Sequence, residues 1–156
     1  MSGTSAWNAG RAEELIRRER DQRGALLPVL HALQHEFGYI DDDAVPLVAQ
    51  ALNLSRADVT GVVSFYRDFR TRPPGRRVVK LCRAEACQAR GADALFAHLG
   101  KQGLPADGTT DDGAVTVETV YCLGNCALGP AALVDGRPLA ALTPERLDRA
   151  LAGDEP

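Results

Sequence analysis

A short apolar run followed by a pair of cysteines occurs at Val78-Val79-Lys80-Leu81-Cys82-Arg83-Ala84-Glu85-Ala86-Cys87. A second run, rich in β-branched residues, covers Ala114–Tyr121 and leads into Cys122-Leu123-Gly124-Asn125-Cys126. Both runs have the composition of β-strands, so each cysteine pair is predicted to begin where a strand ends. Neighbouring strands that end at the same edge of a sheet would bring both loops, and all four thiols, to one place.

The four cysteines of the chain are the candidate metal ligands: Cys82, Cys87, Cys122 and Cys126. In a reducing compartment such a set indicates metal or redox chemistry before disulfides. Structural zinc usually takes tighter pairs and often includes histidine. The wider loops favour two irons bridged by two sulfides, although spacing alone leaves zinc, and also disulfides or buried thiols, as alternatives.

An iron–sulfur cluster with four thiolate ligands carries a net negative charge, and an added electron increases it. Hydrogen bonds to the sulfurs and positive dipole ends must offset that charge. Gly124 can adopt a positive φ and turn backbone N–H groups toward the sulfurs. We expect Cys87 to lie near the start of a following helix, whose N-terminal dipole favours an anion.

Length and charge limit the class of protein. The chain has 156 residues, with 21 acidic and 18 basic side chains and a net charge of −3. This length predicts one domain or two small ones, and the acidic balance argues against nucleic-acid binding. No apolar stretch approaches the roughly 20 residues of a membrane helix, and no secretory signal opens the chain. We therefore expect a cytoplasmic protein without direct membrane contact.

The first half is predicted to be helical. One helix face is formed by residues at i, i+4, i+7 and i+11: Leu26, Leu30, Leu33 and Phe37. Gly38 is predicted to end that helix, and Asp41–Asp43 to cap the next one. Ser55-x-x-Asp58 resembles a capping box and predicts the start of a fourth helix. A first helix with a largely solvated face is predicted over Arg11–Arg23.

The second half is predicted to be β-α-β-β-α, with a hairpin turn at Asp135-Gly136 and a last helix that begins after Thr143. Pro73, Pro74 and Gly75 interrupt the helical pattern and predict a linker. The predicted organisation is a flexible tail (1–10), a helical domain (11–70), a linker (71–75) and an α/β domain (76–156).

The cysteine segments, with the following Gly129-Pro130-Ala131, resemble the thioredoxin-like [2Fe–2S] ferredoxin family. The resemblance extends into the helical half through Leu26-Leu27-Pro28-Val29-Leu30, Gly38-Tyr39-Ile40 and Ser64-Phe65-Tyr66-x-x-Phe69. It implies an α+β fold in which an N-terminal helical bundle precedes a thioredoxin-like α/β ferredoxin domain. It also implies that the four cysteines hold one [2Fe–2S] cluster.

Within that family, Cys82-Arg83-Ala84-Glu85-Ala86-Cys87-Gln88 and His31-Ala32-Leu33-Gln34 look more like the gamma subunit of NAD-dependent, molybdenum-containing formate dehydrogenase. This resemblance implies a non-catalytic electron-transfer subunit. Its partners would be a flavin- and iron–sulfur-containing NAD(H)-binding subunit and a molybdenum formate-oxidising subunit. The alternatives are the equivalent subunit of complex I or of an NAD-reducing hydrogenase and, in another class, a zinc-stabilised interaction module.

No other chemistry is indicated by the sequence. It contains no dinucleotide fingerprint and no acid–base or nucleophilic arrangement, so no catalytic residue is assigned. His31 and His35 lie four residues apart but beside a core stripe, which favours a surface or subunit-contact role over a second metal site. The aromatic segment Ser64-Phe65-Tyr66-x-x-Phe69 is predicted to serve core and domain packing.

Overall fold

The computed structural model describes residues 5–104 and 106–154. The chain divides into two compact units, Met1–Pro73 and Pro74–Pro156. Among the described residues, no helix has both the length and the apolar character needed to cross a membrane. The boundary falls between two prolines inside the segment predicted as a linker.

The first unit consists of four helices: α1 (Ala9–Glu19), α2 (Leu26–Phe37), α3 (Ala44–Leu52) and α4 (Arg56–Phe65). Its core is built around side chains that are fully buried: Val29, Leu30, Leu33, Val48 and Val59. The predicted stripe of α2 is therefore present, although Leu26 at its start is only partly buried. The apolar faces of all four helices meet in this one core.

Local end signals explain two of these helices and fail for a third. Gly38 ends α2 with φ 84°, and its N–H donates to Gln34 O. The predicted capping box of α4 is confirmed, since Asp58 N donates to Ser55 Oγ at 3.1 Å and Ser55 N donates to Asp58 Oδ2 at 3.0 Å. The predicted side-chain cap of α3 is wrong: Asp43 caps nothing with its carboxylate. Asp41, two residues earlier, accepts Asp43 N with its carboxylate at 2.9 Å in a turn.

The prediction of a flexible tail over 1–10 is wrong for its second half, and residues 1–4 lie outside the described residues. Asn8 Oδ1 accepts Arg11 N at 2.9 Å and caps α1, which begins at Ala9. The Trp7 ring packs edge-on against Phe37 with centroids 5.0 Å apart. A helix cap and a partly buried aromatic contact therefore order this segment, and α1 ends at Glu19 rather than at Arg23.

The second unit contains a five-stranded sheet in the order β2-β3-β1-β4-β5. The strands are β1 (Arg77–Cys82), β2 (Gly108–Thr109), β3 (Val115–Val120), β4 (Ala132–Val134) and β5 (Arg137–Leu139). Three helices accompany them: α5 (Glu85–Ala89), α6 (Ala92–Lys101) and α7 (Pro144–Ala152). The predicted β-α-β-β-α elements are all present, and the structure adds the short α5, the short β2 and one more strand, because the hairpin is formed by two strands, β4 and β5. Val79, Leu81, Val117 and Leu147 are fully buried in this unit's core.

The register of the sheet positions the cysteine loops. Strands β1 and β3 are parallel, and Cys82 at the end of β1 pairs with Val120 at the end of β3. The other strand pairs are antiparallel. The predicted hairpin turn is confirmed between β4 and β5, with φ 50° at Asp135 and 81° at Gly136. Both cysteine loops consequently leave the sheet at the same edge.

One boundary prediction and one packing prediction need correction. The predicted linker covers 71–75, but Gly75 already belongs to the second unit. Its N–H donates to Thr116 Oγ1 at 2.6 Å, and its Cα packs closely against the backbone of Val115 in β3. The predicted packing role is wrong for Phe65 and Tyr66, which are 77% and 44% exposed. Helix α4 buries Val63, and Phe65 lies about 200° further round the helix, so it points away from the core.

Candidate metal centre

The four cysteines lie in two loops that follow β1 and β3. Cys82 is the last residue of β1, and Cys87 lies within α5. Cys122 follows the end of β3, and Cys126 begins a short 3-10 helix, Cys126–Leu128. Backbone hydrogen bonds fix both loops, since Cys82 N donates to Ala131 O at 3.0 Å and Arg83 N donates to Val120 O at 2.8 Å.

The thiols form two pairs. Cys122 Sγ lies 3.5 Å from Cys126 Sγ, and the thiols of Cys82 and Cys87 are in hydrogen-bonding contact. Two sulfurs on one tetrahedral metal with metal–sulfur bonds of about 2.3 Å are separated by about 3.7 Å. The Cys122–Cys126 distance therefore suits two ligands of one metal, and the contact between Cys82 and Cys87 is consistent with the same arrangement.

The two pairs also influence each other electrostatically, as expected for thiols in neighbouring loops. Burial raises the pKa of Cys87, and the Cys82 thiol and the charges of Cys82 and Cys126 raise it further. The contact with Cys122 raises the pKa of Cys126, and the charge of Cys82 adds to that effect. Thiolate repulsion of this kind is relieved when a cation binds between the sulfurs.

Backbone N–H groups converge on the buried sulfur of Cys82. Burial acts to raise the pKa of this thiol, but N–H groups of Ala84, Cys122 and Leu123, together with the Cys87 thiol, donate to it and hold its pKa below the ordinary value. Two of these donors belong to the other cysteine loop. Hydrogen bonds to sulfur are the feature that an anionic cluster requires.

The prediction for Gly124 is confirmed. Its φ is 77°, and its N–H donates to Cys122 Sγ at 3.4 Å. Cys122 itself has φ 77°, an uncommon conformation for a residue with a Cβ. The expectation for Cys87 needs correction, because this residue lies inside the five-residue α5 and not at the start of the longer α6. Its sulfur instead accepts the N–H of Ala131.

Gly129 is a site residue that sequence reasoning did not identify. An added Cβ there would lie 3.2 Å from Cys87 Sγ and 3.5 Å from Cys126 O. The residue thus brings the backbone after the second cysteine pair into contact with the first pair. The Gly129–Pro130 peptide is cis. In the sequence, this place carries the Gly129-Pro130-Ala131 motif of the family resemblance, which does not indicate a contact with Cys87.

The two pairs differ in burial. Cys82 and Cys87 are each 1% exposed, whereas Cys122 and Cys126 are exposed to solvent. Two large side chains of the second loop are exposed as well: Tyr121 at 64% and Leu128 at 55%. The site is therefore closed on the side of the first loop and open on the side of the second.

No other described side chains compete with the thiols as a site. The ring of His31 contacts that of Phe69 in a tilted arrangement with centroids 5.0 Å apart, and His98 forms a hydrogen bond of 2.8 Å with Asp148 between α6 and α7. Among residues 5–104 and 106–154, no three histidine, cysteine, aspartate or glutamate side chains are grouped to hold a single metal ion. Two separate sulfur pairs suit a two-metal cluster better than a mononuclear zinc site.

Comparison with known proteins gives a consistent result. A family model described as thioredoxin-like [2Fe-2S] ferredoxin matches residues 12–153. One subunit of the NADH-quinone oxidoreductase of Escherichia coli K12 is 34% identical over an alignment of 154 positions, and the alignment covers 95% of this chain and 93% of that protein. The NADP-reducing hydrogenase subunit HndA of Solidesulfovibrio fructosivorans is 35% identical over 133 residues, 84% of this chain and 77% of that protein.

Two further comparisons involve longer proteins. The corresponding subunit of the NADH-quinone oxidoreductase of Mycobacterium tuberculosis H37Rv is 38% identical over 135 residues, and this chain spans about half, 54%, of that protein's length. A crystal structure of an NAD⁺-reducing [NiFe]-hydrogenase superposes with a TM-score of 0.70 at 27% identity. That superposition covers 83% of this chain and 23% of the hydrogenase chain.

Proposed function

Because this chain belongs to the thioredoxin-like [2Fe–2S] ferredoxin family and its cofactor is a [2Fe–2S] cluster, we propose that it is the one-electron relay subunit of an NAD(P)H-linked oxidoreductase. We further propose that Cys82, Cys87, Cys122 and Cys126 hold the cluster. The observation that carries this proposal is the meeting of two contacting thiol pairs at one edge of the sheet.

The cluster supplies a centre that accepts and returns one electron at a time. The chain's own residues hold it and offset its charge: the N–H groups of Ala84, Cys122 and Leu123 face the Cys82 sulfur, and Gly124 N–H faces Cys122. The buried first pair excludes water from one side. The exposed second pair leaves the other side accessible to an electron donor or acceptor.

A flavin-containing, NAD(H)-binding subunit is the partner that this chemistry requires. Nicotinamide transfers two electrons as a hydride, so a flavin must stand between it and a one-electron centre. We propose that the helical domain binds this partner, and its exposed Phe65 and Tyr66 support that role. Their rings pack edge-on at 5.2 Å and present apolar surface to solvent. We place the protein in the cytoplasm.

The parent complex is best proposed as an NADH-quinone oxidoreductase or an NAD(P)-reducing hydrogenase, because relatives with those names match most of this chain. Formate dehydrogenase, with a molybdenum formate-oxidising subunit, is the second candidate. It is supported by the resemblance of Cys82–Gln88 and His31–Gln34 to its gamma subunit. The relatives favour the first proposal.

The cluster proposal is tested on the purified chain. We expect two irons and two acid-labile sulfides per chain, visible absorption, and an S = 1/2 EPR signal after dithionite reduction. Cys122→Ala should lose the cluster, whereas Leu128→Ala removes more atoms from the same loop without removing a ligand and should retain it. One zinc per chain with no visible absorption would overturn the proposal.

The parent complex is tested by co-expression with candidate subunits. The chain alone should not oxidise NADH, formate or hydrogen, since it contains no hydride-handling motif. The complex should couple NADH oxidation to quinone reduction, or hydrogen oxidation to NAD(P)⁺ reduction. Formate-dependent NAD⁺ reduction would instead assign the chain to formate dehydrogenase. NADH oxidation by the chain alone would overturn the relay role.

A further inference from the structure

Arg90 connects the two cysteine loops. It follows α5 in the first loop, and its Nε donates to the carbonyl oxygen of Gly129 at 2.9 Å, 39 residues further along the chain. Gly129 follows the short helix that Cys126 begins, and its own N–H donates to Cys126 O at 3.3 Å. The arginine thus holds the backbone that continues from the second pair of thiols.

The same contact places the arginine close to a buried sulfur. The Cβ position of Gly129 lies 3.2 Å from Cys87 Sγ and 3.4 Å from Arg90 Cδ. That Cδ and the sulfur are therefore no farther apart than the sum of these two distances. Nε is bonded to Cδ, so the guanidinium, which is always charged, is held near the Cys87 sulfur.

We propose that Arg90 is a positioning residue for the cluster that also raises its reduction potential. The inference rests on the proposed function. The hydrogen bond from Arg90 Nε to Gly129 O fixes the first loop against the second. The positive charge of Arg90 favours the cluster in its reduced state. Opposite charges attract more strongly where the surroundings are partly desolvated, and the Arg90–Gly129 bond is part-buried.

The charge effect is separable from the loop contact by substitution. Arg90→Met keeps the aliphatic part of the side chain but removes both the hydrogen-bond donor and the charge. Arg90→Lys keeps the charge and removes the guanidinium Nε–H that donates to Gly129 O. Arg149→Met, at an exposed arginine of α7, is the matched control for loss of one positive charge from the same unit.

The readouts are the reduction potential from an EPR-monitored titration and the rate of iron loss to a chelator. For Arg90→Met we expect the reduction equilibrium to shift about fivefold against reduction, roughly 40 mV for a one-electron couple, and faster iron loss. Arg90→Lys should keep a potential near wild type yet lose iron faster. Arg149→Met should change neither. High salt should reduce the difference in potential, because it screens exposed charges.

A wild-type potential in Arg90→Met would overturn the inference, whatever its rate of iron loss, because a purely structural contact predicts that result. An equal shift in Arg149→Met would overturn it too, by showing an effect of net charge alone. A wild-type chain that holds no iron or sulfide would overturn the proposed function first, and this inference with it. The last result is distinguishable because it appears before any variant is compared.

Discussion

The substitution Gly129→Ala tests how closely the two cysteine loops are packed. Gly129 has φ −63° and ψ 161°, which alanine adopts freely, so any cost comes from contacts. The new Cβ would lie 3.2 Å from Cys87 Sγ, and that sulfur must move by a few tenths of an ångström. Overpacking costs about 1–3 kcal/mol, and the stiffer unfolded chain offsets about 0.4–1 kcal/mol. We expect a net loss of about 1–2 kcal/mol.

The assay follows urea unfolding by far-UV circular dichroism and cluster content by visible absorption. Gly100→Ala is the matched control, since it lies in α6 and its added Cβ meets nothing within 4 Å. This control should gain about 0.5–1 kcal/mol, because alanine is the better helix former. The same chemical change therefore has opposite signs at two glycines of one unit.

The expected result for Gly129→Ala is lower cluster content together with a lower unfolding midpoint. The reasoning would be refuted if this variant retained full cluster content and unfolded at or above the wild-type midpoint. Destabilisation of Gly100→Ala by a similar amount would refute it in another way. It would show that an added methyl group lowers stability in this unit even where it meets no neighbouring atom.

Three other predictions concern stability and its dependence on pH. Leu81→Ala removes a fully buried side chain of β1 and should lower the free energy of unfolding by about 2–5 kcal/mol, measured in urea. Ser55→Ala removes the side-chain acceptor of the capping box and should cost about 1 kcal/mol and some helicity, seen by circular dichroism. Burial acts to raise the pKa of Asp148, but hydrogen bonds from Gln102 and His98 outweigh it and hold the pKa below its ordinary value. The folded state therefore favours the charged carboxylate, and the wild type should be more stable than Asp148→Asn at neutral pH. That advantage should vanish as pH falls through the lowered pKa in a pH series of thermal unfolding, and a constant difference down to the most acidic point would contradict it.

Elements with strong local signals could be predicted from sequence. The apolar stripe of α2 and the glycine after it reproduce both of its observed ends, and Ser55-x-x-Asp58 predicts the capping box. The two-residue β2 could not be predicted, because it is a strand only by pairing with β3. The five-residue α5 is likewise too short to display a helical period.

The candidate site shows the same division between local and long-range information. Each cysteine pair follows a recognisable strand, so the meeting of the thiols could be predicted once those strands were taken as neighbours. The contacts of Gly129 and Arg90 could not, because the two residues lie 39 positions apart and neither carries a signal for the other. Phe65 was predicted wrongly because aromatic character suggests burial, whereas its position on α4 turns it outward.

The difference in burial between the two thiol pairs determines the order in which the four cysteines are oxidised. An oxidant such as hydrogen peroxide must reach a cysteine sulfur to modify it, so burial protects Cys82 even though the pKa of that thiol is held below its ordinary value. Oxidants therefore reach Cys122 and Cys126 first, while Cys82 and Cys87, at 1% exposure, stay reduced for longer. After limited oxidation, we expect modification on the outer loop and an intact inner pair. A new cluster can then form on a site whose first loop is still held by the hydrogen bonds from Cys82 N to Ala131 O and from Arg83 N to Val120 O.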